Sequence, residues 1–339
     1  MNPRNPLHLE LQISSARPET CSWEDVLGAA VFGAGPPGAD APLKRPTHVP
    51  LAEVPMAPLG GGRAMIERWR VGGPIQPGWH GMVRYARSEE FLFGRLHAGE
   101  NDAGAGRTGL ERATERAYRQ MHATLETTGF PHLLRVWHYI ADITLETHGT
   151  ERYRQFNSAR QEALVSCGRS VRGNVPAASA LGSSRGPLAI YFLAGRAAPQ
   201  FIENPRQVSA YHYPAQYGPR APSFSRAALV RQRGATLLIS GTSSILGHRT
   251  MHEGDPAAQT RETLANIEAL LQEANRLEAG AFALDALTYK VYVRDPHDLP
   301  VIRAEIDSAV GAAAARVYLR ADICRRDLSV EIEAVGQRA

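Results

Sequence analysis

Residues 255–277 read DPAAQTRETLANIEALLQEANRL, and this stretch decides the fold class of the second half of the chain. Its apolar side chains recur every three or four positions, which is the spacing of one buried helix face: Leu264, Ile267, Leu270 and Leu271. Asp255 precedes a proline at the first helical position, a common beginning for a helix. Gly280 ends the pattern. The stretch predicts one long amphipathic helix lying on a sheet.

Strand patterns and shorter helices surround this long helix. The second half predicts a strand, the long helix, a strand, a helix and two closing strands, with the elements besides the long helix at 237–240, 287–294, 300–314, 317–323 and 328–335. The first half predicts a strand pair, a helix, a strand and a helix, at 82–85, 91–96, 110–127, 133–142 and 153–165. Each half has a helix, a glycine stop, a strand ending in aspartate and another helix. We interpret this as a duplicated α+β unit, with mixed sheets covered by helices on one face.

The N-terminal part differs from both halves. Residues 33–80 are rich in glycine and proline and predict a long irregular connection or an edge with short strands. We therefore divide the chain into three parts. Residues 1–75 form a segment with little regular structure, residues 76–180 form the first unit, and residues 181–339 form a C-terminal domain that carries the active site.

Composition excludes several classes of protein. The 339 residues are 43% hydrophobic and carry a net charge of +4, without the basic run expected for tracking phosphates. The three cysteines, Cys21, Cys167 and Cys324, have no paired spacing, so neither disulfides nor a metal site is expected. No apolar run approaches the roughly 20 residues of a membrane helix, and the N-terminus lacks a signal peptide. We predict a cytoplasmic protein that binds neither nucleic acid nor membranes.

A loop at residues 204–226, NPRQVSAYHYPAQYGPRAPSFSR, is the most informative stretch for function. It holds three arginines, three tyrosines and four prolines, and no acid. Arginine is the usual cation of this chain, whose only lysines are Lys44 and Lys290, so an ordinary arginine-rich surface is one reading. The interleaved tyrosines and prolines favour the other reading, a site for a small ring that carries carboxylates.

Two further segments carry candidate chemistry. Glu331 alternates with apolar neighbours on the closing strand and shares a face with Glu333. Two such acids are either surface decoration or, for Glu331, a carboxylic acid kept protonated by apolar surroundings and able to donate a proton. Cys324 is either a small buried hydrophobe or a functional thiol, and Gly241 is either a turn residue or a place where a ligand comes close.

Several motifs together resemble one family. The loop at 204–226 is similar to the signature of the chorismatases, which have also been labelled pteridine-dependent dioxygenase-like proteins. Further matching stretches follow that family's order: YRQFNSAR at 153–160, SGTSSILGH at 240–248, and DICR at 322–325 leading to EIE at 331–333. The resemblance runs from about residue 80 to the C-terminus. The second half also resembles the RidA (YjgF-type, chorismate mutase-like) fold, which ends in a similar VEIEA strand.

The resemblance implies a function and a set of residues. Chorismatases cleave chorismate and release pyruvate without a cofactor, on a RidA-like scaffold, and the family's general acid falls on Glu331. Members that form 3-hydroxybenzoate carry a glycine and a cysteine at the positions of Gly241 and Cys324, and 4-hydroxybenzoate stays open as a second product. The expected substrate-binding residues are Tyr153, Arg160, Arg206, Tyr211, Tyr217, Arg220 and Arg226. With two units in one chain, we expect a monomer.

Three alternatives stay open at this point. A hydrolytic chorismatase would give a dihydroxycyclohexadiene carboxylate in place of an aromatic product. A RidA-like imine or enamine deaminase would also use an arginine and a glutamate, but it leaves the loop at 204–226 unexplained. A metabolite-binding module would hold a hydroxybenzoate and leave chorismate unchanged.

Overall fold

A computed structural model describes residues 9–15, 22–33, 47–61, 64–101, 106–232, 234–278, 280 and 282–338. Within these ranges the chain forms three main sheets, and four α-helices lie on two of them. No helix in the described ranges is both long enough and apolar enough to span a membrane. Cys21 lies outside the described residues.

The N-terminal part contains a sheet, so the prediction of little regular structure for residues 1–75 is wrong for the described residues. Four strands pair in the order β1-β4-β2-β3: β1 (Glu10–Ser15), β2 (Val26–Gly33), β3 (Leu51–Pro55) and β4 (Ala64–Arg70). Strand β2 is buried on both faces and therefore lacks the alternation that reveals a strand in a sequence. A Cβ atom at Gly28 would overlap the ring of Phe93, so this glycine lets the N-terminal sheet approach the next sheet closely.

The first unit supplies six strands of a seven-stranded sheet that carries two helices on one face. The seventh strand comes from later in the chain, and the two shortest strands of the unit pair in a separate sheet. Its elements are β5 (Gln76–His80), β6 (Val83–Arg87), β7 (Phe91–Ala98), α1 (Gly109–Thr128), β8 (His132–Ala141), β9 (Glu146–Thr147), β10 (Thr150–Glu151), α2 (Arg152–Ser166), β11 (Ala177–Ser183) and β12 (Leu188–Gly195). Helix α1 begins with a capping box between Thr108 and Glu111 and ends at Gly129, whose φ of 72° is left-handed.

The second unit is a six-stranded sheet, again with two helices on one face. Its elements are β13 (Gln200–Ile202), β14 (Ala227–Arg231), β15 (Ala235–Thr242), β16 (Ile245–Leu246), β17 (Arg249–Thr250), α3 (Pro256–Leu277), β18 (Thr288–Val293), α4 (Leu299–Val310), β19 (Arg316–Arg320), β20 (Asp322–Ile323) and β21 (Val330–Arg338). Helix α3 matches the predicted long helix, with the Asp255 side chain accepting a bond from the Ala258 N–H. Helix α4 ends before the predicted residue 314, since Gly311 has a φ of 77°.

Sheet topology confirms the duplicated unit. The first sheet contains the order β6-β7-β12-β8-β11 and the second contains β14-β15-β21-β18-β19. In each unit the first two of these strands form a hairpin, and the third and fourth strands along the chain pair in parallel at the other side of the sheet. The last strand of the unit lies between the hairpin and the parallel pair and is antiparallel to both of its neighbours. The first unit therefore continues to Gly195, because its last strand β12 returns to the sheet centre, and the predicted boundary at residue 180 cuts β11.

The three sheets share one central core. The helix-free faces of the two larger sheets meet the N-terminal sheet in a cluster that includes Trp69, Trp137, Tyr191 and Tyr292. The helices cover the opposite faces and enclose separate clusters of their own. The predicted closing strand 317–323 is in fact two strands: β19 pairs in the second sheet, whereas β20 pairs with β11 of the first. This crossing brings Cys324 to the seam between the units.

Candidate active site

A cavity of about 440 Å³ lies at the seam where β11 of the first unit meets β14 and β15 of the second. Of the ten predicted site residues, seven line it: Tyr153, Arg160, Tyr217, Arg226, Gly241, Cys324 and Glu331. They come from helix α2, the loop at 204–226, strands β15 and β21 and the segment after β20, so only the folded chain brings them together.

Glu331 is the buried acid of this cavity. It lies near the start of β21, points to the same face as Glu333, and is only 5% exposed. Burial raises the pKa of Glu331 to about 8, and the neighbouring Glu333 carboxylate adds to the rise, while Arg135 opposes it. At neutral pH this carboxyl is therefore mostly protonated and can donate its proton to a bound molecule.

Gly241 provides the space for that carboxyl. The pairing of β15 with β21 shifts register between Ile239 and Thr242, a bulge that places Gly241 beside Glu331. A Cβ atom on Gly241 would overlap a carboxyl oxygen of Glu331 and would lie 3.2 Å from Ser179 Oγ. The Gly241 N–H donates to Ser179 Oγ at 3.0 Å, which fixes the bulge against β11. The requirement for glycine here is one of space, because its φ is not among the positive values.

Cys324 follows β20 and faces the cavity as a free thiol. Burial raises the pKa of Cys324 to about 12, with a further contribution from the Glu331 carboxyl, while Arg325 lowers it. The thiol is therefore neutral at physiological pH. A neutral thiol is a poor nucleophile, so this side chain can shape the cavity and offer a weak hydrogen bond.

Two buried arginines of the cavity wall form no ion pair with a carboxylate in the described part of the chain. Arg160 donates to the Ser223 carbonyl, and Arg226 donates to the Val208 carbonyl at 2.9 Å and to the Tyr213 hydroxyl at 2.8 Å. Neither guanidinium lies within ion-pair distance of a described carboxylate, and the Nε of each is buried without a hydrogen bond. Desolvated guanidinium groups of this kind favour a bound anion.

Sequence reasoning missed Arg325 and Tyr213, which also line the cavity. The Arg325 guanidinium lies 4.1 Å from the ring centroid of Tyr217 and 5.2 Å from that of Tyr213, and it donates to the His248 carbonyl at 2.9 Å. Stacking on two aromatic faces holds this cation at the cavity wall. A signal was present, because Arg325 directly follows Cys324 and Tyr213 lies inside the loop at 204–226.

Three of the predicted substrate-binding residues lie outside the cavity walls, and we do not keep them as substrate contacts. Arg206 pairs with Glu262 at 2.7 Å and bonds to Asn266, so it ties the loop to helix α3. Tyr211 packs against the His212 ring, and Arg220 is exposed. Neighbours in an irregular loop point in different directions, so membership of the loop did not decide which side chains face the cavity.

Comparison with known proteins finds relatives that match most of the chain. Residues 67–194 match the family model described as Chorismatase FkbO/Hyg5-like, N-terminal, and residues 219–337 match the model described as Endoribonuclease L-PSP. A protein named 3-hydroxybenzoate synthase from Streptomyces hygroscopicus is 38% identical over 314 residues, which cover 89% of this chain and 86% of that protein. A protein named chorismatase from Streptomyces rapamycinicus is 36% identical over 281 residues, which cover 80% of this chain and 82% of that protein.

A solved structure extends the likeness to the whole fold. The crystal structure of a chorismatase superposes with a TM-score of 0.86 at 31% sequence identity, covering 97% of this chain and 98% of that one. The match includes the two units and the N-terminal sheet, and it agrees with the RidA-like fold expected from the sequence. The chain belongs to the chorismatase family.

Proposed function

We propose that this chain cleaves chorismate to 3-hydroxybenzoate and pyruvate, with Glu331 as the general acid. The observation that carries the proposal is a buried carboxyl with a raised pKa in a cavity where the guanidinium groups of Arg160 and Arg226 lie beyond ion-pair distance of every described carboxylate. Chorismate carries two carboxylates, one on its ring and one on the enolpyruvyl arm. The relative named 3-hydroxybenzoate synthase supports this product.

The proposed reaction begins with proton transfer. The Glu331 proton adds to the methylene carbon of the enolpyruvyl group and leaves an oxocarbenium-like centre on the ether carbon. A water molecule adds to that carbon and returns a proton to Glu331, and the bond from this carbon to the ether oxygen then breaks. Pyruvate leaves, the ether oxygen stays on the ring as the hydroxyl of 3-hydroxybenzoate, and the later loss of the other ring hydroxyl as water balances the water taken up. Arg160, Arg226 and Arg325 hold the two carboxylates, and Tyr153 and Tyr217 orient the ring and the ether oxygen. 3-Hydroxybenzoate and pyruvate together contain the atoms of chorismate, so the reaction needs no oxidant, reductant or net water.

Gly241 and Cys324 favour an aromatic product over the hydrolytic one. Because Gly241 has no side chain, the Glu331 carboxyl fits beside β15. Cys324 places a neutral thiol, rather than a charged group or a hydroxyl, at the cavity wall. We infer that the thiol steers departure of a ring hydroxyl as water, which makes the ring aromatic. Both walls of the cavity come from one chain, which suits the monomer that the sequence predicts.

Incubation of the purified protein with chorismate tests the proposal. We expect release of pyruvate and, on separation of the aromatic products, 3-hydroxybenzoate as the main species. If no pyruvate is released, the proposal is contradicted and a metabolite-binding module becomes the better interpretation. Turnover of imino acids would favour the deaminase. If the product is a non-aromatic diene diol, the protein is still a chorismate-cleaving enzyme, but the assignment of 3-hydroxybenzoate as its product is wrong.

Replacing Cys324 by alanine is expected to change the product and spare the cleavage. The thiol transfers no proton in the proposed first step, so pyruvate release should fall by less than the roughly 100-fold lower limit for a lost general acid. The ratio of 3-hydroxybenzoate to other ring products, measured by chromatography, should change. Cys167→Ala is the matched control, because that free cysteine ends helix α2 outside the cavity. An unchanged ratio in Cys324→Ala would refute the role of this thiol.

A further inference from the structure

A second group of charged side chains lies behind the cavity, in the central core. Glu67, Arg135, Lys290 and Glu333 are each at most 5% exposed, and they come from all three sheets. Lys290 contacts both Glu67 and Glu333, the second at 3.0 Å, and Arg135 contacts Glu333. We call these four side chains the core charge cluster.

Hydrogen bonds to neutral neighbours complete the core charge cluster. Glu333 also accepts from Trp137 Nε1 at 2.7 Å, from Ser179 Oγ at 3.0 Å and from the Tyr292 hydroxyl. Burial works against ionisation of Glu333, but Lys290 and Arg135 outweigh it and hold its pKa below the usual range. Apolar side chains of similar size generally stabilise a core as well as a buried ionic network does, so stability alone does not account for this cluster.

Two links connect the core charge cluster to the cavity. Glu333 and Glu331 are alternate residues of β21 and point to the same face. Ser179 lines the cavity, accepts from Arg135 and from the Gly241 N–H, and donates to Glu333. The cluster therefore contacts the bulge that makes room for the acid. No sequence signal marked Ser179, because its strand β11 was not predicted.

We propose that the core charge cluster is a positioning device for Glu331, in which Glu333 presents a fixed negative charge beside the acid and Ser179 holds the bulge that makes room for it. The inference rests on the proposed role of Glu331 as the proton donor. Glu333 is a positioning residue, since it acts through Glu331 and lies behind the cavity wall.

The other groups that face Glu331 do not replace Glu333. Besides Glu333 on its own strand, the titratable groups in electrostatic contact with Glu331 are Arg135 on β8, Tyr153 on α2, Arg226 before β14, Arg294 after β18 and Cys324 after β20. The arginines are cations and favour an ionised Glu331, and the tyrosine and the thiol are neutral because their own pKa values are raised. Among these groups Glu333 is the anion that opposes ionisation.

Glu333→Gln tests the inference through the pH profile of the reaction. Activity requires protonated Glu331, so the rate should fall as pH rises through about 8. Removing the Glu333 charge should move this limb down by about one pH unit, with near wild-type kcat and KM at the acidic end. Glu305→Gln, at an ion pair between α3 and α4, is the matched control and should leave the limb in place. A folded Glu333→Gln protein with an unmoved limb would overturn the inference.

Carbon-13 NMR of protein labelled at glutamate carboxyls gives a readout that needs no turnover. The Glu331 signal is identified by its loss in Glu331→Gln, and it should titrate near 8 in the wild type and about one unit lower in Glu333→Gln. If Glu331 shows these two titrations but the wild type leaves chorismate intact, the proposed function is refuted, while the effect of Glu333 on Glu331 is still supported. If Glu333→Gln does not fold, the double variant Glu333→Gln/Lys290→Met, which removes one buried charge of each sign, takes its place. A lower titration of Glu331 than in the wild type supports the inference, and an unchanged titration near 8 overturns it.

Discussion

Replacing Glu331 by glutamine is expected to lower kcat for chorismate cleavage by roughly 100-fold to 10,000-fold. Glutamine fits the space beside Gly241 and keeps the polar contacts, but it has no acidic proton for the methylene carbon. The loss should therefore fall on kcat, with KM for chorismate close to that of the wild type. Pyruvate release followed by a coupled assay, at several chorismate concentrations, measures both constants.

Binding measurements separate a lost proton donor from a damaged site. Glu331→Gln should still bind a hydroxybenzoate with wild-type affinity in calorimetry, because the arginines that hold the carboxylates are unchanged. Glu305→Gln, on helix α4, carries the same chemical change away from the cavity and should keep wild-type kcat. A Glu331→Gln protein with full activity would remove the central element of the proposed mechanism.

Replacing Lys290 by methionine is expected to lower the free energy of unfolding by about 3–5 kcal/mol. Lys290 lies among aromatic rings and bridges Glu67 and Glu333, so its loss leaves two buried carboxylates with less positive charge around them. Burial alone would lower the pKa of Lys290, but Glu333 and Glu67 raise it above its usual value. Lys290 is therefore charged in the wild type, and its replacement by methionine removes a positive charge. The midpoint of urea denaturation, followed by circular dichroism, measures the loss.

An exposed arginine provides the control for Lys290→Met. Arg261 pairs with Glu305 on the surface of helices α3 and α4, and Arg261→Met should change the free energy of unfolding by less than about 1 kcal/mol. Both variants remove one cation from an ion pair, so the difference between them isolates the effect of burial. Equal stability of the two variants would contradict the energetic description of the core charge cluster.

Local patterns predicted much of the regular structure. The stripe from Leu264 to Leu271 located helix α3, and the order of helix, glycine stop and strand revealed the duplicated unit that the two sheets confirm. Such elements have polar and apolar faces, and periodicity records that difference. The N-terminal sheet and strands β11 to β14 were not predicted. Strands that are buried on both faces, such as β2 and β12, do not alternate between polar and apolar residues.

For the site, sequence motifs named seven of the residues that line the cavity, including the acid Glu331, the thiol Cys324 and the space-giving Gly241. They could not tell Arg226, which faces the cavity, from Arg206, which pairs with Glu262. Both are arginines in one irregular loop, and their directions depend on the packing of that loop against α3 and β14.

The sequence by itself determined the helices and the duplicated unit, which depend on residue type and local spacing. Its motifs carried the resemblance to the chorismatases, and that resemblance implied the candidate acid. Only the tertiary structure decided that Glu331 is buried beside Gly241, that β20 carries Cys324 across to the first sheet, and that Lys290 and Arg135 surround Glu333. The physical reason is that burial and charge environment depend on contacts between residues far apart in the chain. Glu333 and Arg135 meet across 198 positions, a separation that no local pattern records.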